Sequence, residues 1–262
     1  MGSTIVHVDA FTDVRFAGNP AAVCLLPGPA DERWMQEVAR AVNLPATAFV
    51  EPRSKGFGVR WFTPIVELAL CGHGTLATAH ALWEEGRLGS GEPARLHTKA
   101  GLLTAERDGA WIDLDFPAEV EEEIAAPPDL ARALGASPTY VGMNRLDLLA
   151  EMGSEQELRS LAPDRHLLRT IPARGVIVTA RSDSDEFDFV SRYFAPRIGI
   201  DEDQVTGSAH CCLGPFWGSR LGATAMVGYQ ASPRGGVVRV RLAGDRVHLG
   251  GKAVTVLRGE LA

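Results

Sequence analysis

The chain has 262 residues, 45% hydrophobic and 23% charged, enough for one or two packed domains and too apolar for disorder. Its formal net charge of −7 argues against a nucleic-acid partner, which would call for a basic face. No apolar run approaches the ~20 residues of a membrane span. The N-terminus lacks the basic and apolar blocks of a secretory signal, and four cysteines, two of them adjacent, make no disulfide framework. A cytoplasmic protein with no membrane association is expected.

In chain order, "TIVHVDAF" (4–11) reads as a strand and "NPAAVCLLP" (19–27) as its neighbour. Asp31 then caps a helix whose apolar face carries Trp34, Met35, Val38, Ala39 and Val42. Strands are expected at 47–50 and 57–62, followed by the small, apolar helix "CGHGTLATAHALWEEGRLG" and three short strands ending at Pro117. The acidic, proline-bearing stretch 118–128 reads as a solvated linker. Beyond it, "LDLLAEM" and "GVIVTA" read as strands, with a surface helix over 153–162 between them. "FDFVSRYFAP" leads into a second apolar helix, "GSAHCCLGPFWGSRLG", which Pro215 should kink or interrupt. The C-terminal alternation from Gly235 predicts an antiparallel, hairpin-rich meander.

The two apolar helices are related. Each starts with a small side chain and a glycine, Cys71-Gly72 and Thr206-Gly207, followed by a polar residue, His73 or Ser208. Each ends at Arg-Leu-Gly, and each is preceded by Phe-x-Pro, in "WFTP" and "YFAP". This is a diverged internal duplication. A helix apolar on most faces is buried all round, so each half is expected to be a curved, mostly antiparallel sheet around one central helix. The fold class is α+β with two pseudo-symmetric domains, 1–117 and 118–262, the extreme C-terminal strand being a candidate to complete the first.

Helix N-termini carry unpaired N–H groups and a positive dipole end. If the duplication brings both starts to one interdomain cleft, the cleft suits a small carboxylate. Cys71, His73, Asp203 and His210 sit at or near these starts. The plain alternative is capping by Ser208 and Asp203, with Cys71 as core filler. His73 and His80 could pair on a metal, but no third ligand has suitable spacing, and buried histidine is the simpler reading. Cys211-Cys212 reads as buried, inert thiol. Arg234, in "ASPRGG", could meet an acid or lie solvated in a turn.

"VDAFTDVRFAGNPAAV", "FTPIVELALCGHGTLATAHAL", "FAPRIGIDEDQVTGSAHC" and "QASPRGGVVRV" occur in one order across nearly the whole chain. In these motifs the sequence resembles the PhzF family, phenazine-biosynthesis isomerases that share the diaminopimelate-epimerase fold. The resemblance implies two half-barrel domains, a homodimer, no cofactor, and proton relocation within a small carboxylate-bearing unsaturated or cyclic amino-acid derivative. Carried over by motif, His73 and Asp203 are catalytic. Asn19, Gly72, Gly207 and Ser208 border or bind the substrate, and the residues themselves add Gly74 and Arg234 as substrate-binding candidates. The family's acid–base glutamate falls at Ala46, in "NLPATAFV", and alanine cannot move a proton. Cys71, Asp203 and His73 are the candidates to replace it. A small-acid-binding protein without turnover, or an epimerase or racemase using Cys71, are the alternatives.

Overall fold

The computed structural model describes residues 2–262, which fall into two compact units, 2–115 with 250–262 and 116–249. No helix among them is long and apolar enough to cross a membrane.

In the first unit, Ser3–Ala10 is flanked by Ala253–Leu261 and Asn19–Leu25, both antiparallel to it. Asn19–Leu25 runs parallel to Ala46–Arg53, which pairs antiparallel with Gly56–Phe62. Gly56–Phe62 is parallel to Ala94–Thr98, which turns back as Gly101–Asp108. Parallel neighbours need a crossover, and both crossovers here are helices. Glu32–Val42 makes the first, with Asp31 accepting from the Arg33 and Trp34 amides as its N-cap. Only Met35 and Ala39 of its apolar set are buried, while Trp34 stays partly exposed and packs edge-on to Phe49. The second crossover is the central helix Gly72–Glu84, ten of whose thirteen residues are buried. It packs on the strands of its own unit, which wrap it.

The second unit repeats this order. Tyr140–Met143 and Leu148–Glu151 are antiparallel, Leu148–Glu151 and Val176–Arg181 parallel, and Val176–Arg181 and Phe189–Ala195 antiparallel. Phe189–Ala195 and Ala225–Gln230 are parallel, and Ala225–Gln230 and Gly236–Ala243 antiparallel. The last parallel crossover is again a central helix, Gly207–Leu221. The duplication in the sequence is thus a duplication of topology. It also sets a residue correspondence, because Ala22, Thr47 and Phe62 occupy the same rung in one unit as Leu148, Val176 and Phe194 in the other.

Four local expectations change. The C-terminal strand leaves the predicted meander and completes the first unit, the option the sequence left open: it pairs with Ser3–Ala10, so the second unit ends at 249 and not at 262. The acidic stretch is only partly a solvated linker: the amides of Ala118 and Glu119 bond the carbonyls of Asp245 and Cys211. The surface helix is shorter than predicted, Glu155–Ser160, with Ser154 as its cap. The helix Gly207–Leu221 runs through Pro215 without interruption. Proline removes the donor that would serve the carbonyl four residues back. That carbonyl is Cys211's, and the Glu119 N–H takes it at 3.1 Å.

Candidate functional site

The first helix start lies within the first unit. Cys71 is the N-cap in extended geometry and makes no side-chain cap, so the opening turn of Gly72, His73 and Gly74 presents its amides without one. Cys71 Sγ lies 3.7 Å from His73 Nδ1, both side chains being buried. A thiol and an imidazole in contact can pass one proton between them. Gly74 is required by close approach. A Cβ there would lie 2.7 Å from Trp61 Cδ1 and 2.9 Å from both Trp61 Nε1 and Cys71 Sγ. Ala46 opens its strand beside Ala21 and is fully buried. Ala48 is cross-strand from Trp61. Residues two apart share a sheet face, so Ala21, Ala46, Ala48 and Trp61 line one face. Asn19, two residues before Ala21, lies further along it and is buried. Glu51, five residues beyond Ala46, is held by Arg53.

At the second start, Thr206 is the N-cap, in extended geometry and without a side-chain cap of its own. The Thr206 hydroxyl donates to Asp203 Oδ2 at 2.6 Å, and the Gln204 amide donates to Oδ1 at 3.1 Å. Gln230 fastens this corner: its side-chain amide donates to the Asp203 carbonyl, and its oxygen accepts from the Thr206 amide. The Ser232–Gly235 turn is tied to Gln204 through the Ser232 hydroxyl and the Arg234 amide, so the loop bearing Arg234 reaches the segment of Asp203. The Ser208 hydroxyl accepts from Arg174, whose guanidinium is bidentate on Asp147. Asp147 also accepts from the Tyr193 hydroxyl at 3.0 Å. Burial first, then the Asp147 charge, push the Tyr193 phenol far up. Arg174 is raised against the pull of its own burial by the Asp147 carboxylate. Gly175 admits this arrangement, since a Cβ there would sit 2.3 Å from the Tyr193 oxygen.

The structure therefore gathers Cys71, Gly72, His73 and Gly74 at one helix start, with Ala46 and Asn19 on the sheet face that carries Trp61, and Asp203, Gly207 and Ser208 at the other, with the loop of Arg234 tied to Gln204. His210 drops out of the titratable set. It is fully buried, its Nδ1 meets the Thr206 carbonyl at 2.9 Å, and burial lowers its pKa to about 4 despite that carbonyl. Cys211 and Cys212 are buried with raised pKa values, Cys212 to about 12, chiefly by burial. His80 is half-buried, with Nε2 3.0 Å from the Thr255 hydroxyl. Among the described residues no group of three His, Cys, Asp or Glu could hold a metal. Sequence reasoning missed Asp147, Arg174, Tyr193 and Trp61, which sit in or beside strands and read as ordinary sheet positions. Aligning the two copies supplies a signal, because Trp61 and Tyr193 are polar-tipped aromatics at the same place before Phe-x-Pro.

Known proteins share this layout. The family model for phenazine biosynthesis-like proteins matches residues 8–259. An uncharacterised isomerase of Halalkalibacterium halodurans is 52% identical over 262 residues, covering 100% of this chain and 99% of that one. A crystal structure of a PhzF-family phenazine biosynthesis protein from Enterococcus faecalis matches with a TM-score of 0.96 at 39% identity, covering 100% of both chains. A hydroxyproline epimerase from Agrobacterium vitis, 13% identical with a TM-score of 0.66 over 99% of this chain and 92% of that one, shares the fold alone. By fold, by sequence along nearly its whole length and by the family model, the chain belongs to the phenazine biosynthesis-like, or PhzF, family.

Proposed function

We propose that the protein is a cofactor-independent isomerase that moves a proton within a small carboxylate-bearing unsaturated or cyclic amino-acid derivative, in secondary-metabolite biosynthesis. The observation that carries this reading is the contact of Cys71 Sγ with His73 at 3.7 Å on a glycine-rich helix start. Amides and dipole there favour an anion. The thiol–imidazole pair supplies a base and an acid where Ala46 supplies neither. Asp203 and Ser208 are proposed as the corresponding polar groups of the second start. Their hydrogen bonds to Thr206, Gln204 and Arg174 fix their orientation. Family membership supports action as a homodimer, and four buried thiols without a disulfide suit a reducing compartment.

Small cyclic and unsaturated amino acids incubated with the protein in deuterated water test this. Deuterium should enter a carbon position of one of them. A set of acids that binds the protein yet exchanges no carbon-bound proton would assign the chain to passive binding, the reading that Ala46 favours.

A further inference from the structure

Trp61 is 1% exposed, and its indole N–H meets no acceptor among the described residues. A buried donor left unpaired is destabilising, so such a group in a native core calls for a reason. Its surroundings offer no acceptor. On its own sheet face it is flanked by Ala48 and Leu68, with Ala46 and Ala21 further along, and none of these side chains can accept a hydrogen bond. Toward the helix the indole packs closely on Gly74 and the Cys71 thiol: a Cβ on Gly74 would lie 2.9 Å from Nε1 and 2.9 Å from Cys71 Sγ, so Gly74 lets the N–H edge reach the helix start.

The second unit shows what the same position does when it is satisfied. Tyr193 stands at the rung of Trp61, Gly175 at that of Ala46, and Asp147 at that of Ala21. There the polar tip of the aromatic residue donates to a carboxylate, Asp147, which through Arg174 reaches Ser208, the counterpart of His73. The first unit keeps the aromatic donor and lacks the carboxylate.

We infer that the Trp61 indole N–H binds a carboxylate of the ligand, acting with the amides of Gly72–Gly74, so that the ligand supplies at the first helix start what Asp147 supplies in the other copy. This rests on the anion-binding reading of that start. It assigns a specificity role to Trp61: acids should be preferred over amides and esters of the same shape, because only a carboxylate can accept from the indole and the helix amides together.

The test is a titration of the whole protein with sodium acetate, against sodium chloride at equal ionic strength, followed in ¹H–¹⁵N spectra. The chain has five tryptophans, so the indole region is sparse, and the Trp61 signal is the one absent in Trp61→Phe. The Trp61 indole proton should move downfield saturably and in step with the Gly72–Gly74 amides. Trp61→Phe should weaken acetate binding about tenfold or more, the share of one hydrogen bond to a charged group. If the amides move while the indole proton stays still and Trp61→Phe binds acetate normally, the subsite is wrong and the anion-binding helix start stands. If neither moves, both fail. Should Trp61→Phe not fold, through-space contacts to Gly74 and Cys71 assign the signal and the wild-type titration decides.

Discussion

Asp147 holds more of the second helix start than its sequence setting suggests. It is 1% exposed and accepts from both Arg174 and Tyr193, while Arg174, 30% exposed, carries the connection on to Ser208. Removing one partner of a buried pair strands the other. Asp147→Ala is therefore expected to cost on the order of 3 kcal/mol in urea unfolding, whereas Arg165→Ala, which breaks an exposed pair with Asp201, should cost ~1 kcal/mol or less. Equal small losses would show that Asp147 is solvated in solution. The placement of Cys71, His73 and Asp203 at or near the helix starts was legible in the sequence because glycine-rich helix starts advertise themselves. Asp147 and Arg174 were not, because a lone charge next to an apolar strand reads the same whether it is paired or solvated.

At the scale of the element, the second central helix carries two polar liabilities inside a buried cylinder. The carbonyl that Pro215 leaves without a helical donor is taken up by Glu119 from outside the helix, which is why the helix continues where proline predicts a break. A local pattern cannot show a donor arriving from a segment ninety-odd residues away. His210 is the other liability. Its folded pKa, about 4, lies below the ~6.5 of an exposed histidine. The unfolded chain then binds a proton that the folded one does not between those values, so stability rises with pH there. His210 contributes nothing adverse above pH ~6.5, and stability falls as pH drops toward 4, by on the order of 3 kcal/mol for a shift of this size. Between pH 7 and 4.5 the wild type should lose more stability in urea unfolding than His210→Gln. Parallel losses in the two proteins would mean that His210 is reachable by water and titrates normally.

At the scale of the whole molecule, the duplication was legible because both copies keep a small-residue helix start, a tryptophan and a terminal Arg-Leu-Gly. The matching strand order in the two units gives that repeat its physical content. The return of the last strand to the first unit was legible only as an option. Alternation in 253–261 shows that a strand forms, yet pairing partners are set by tertiary packing, and here the partner is Ser3–Ala10. The functional claim turns on Ala46, fully buried among alanines and Trp61, where a larger side chain would overpack the face at a cost of ~1–3 kcal/mol. The most direct measurement compares deuterium wash-in from heavy water for the wild type, Cys71→Ala and Ala46→Glu on one exchanged acid. With the proton carried by Cys71 and His73, Cys71→Ala should lower the exchange rate by ~10²- to 10⁴-fold, and Ala46→Glu should give no gain. Undiminished exchange in Cys71→Ala, or a large gain in Ala46→Glu over a near-silent wild type, would contradict it.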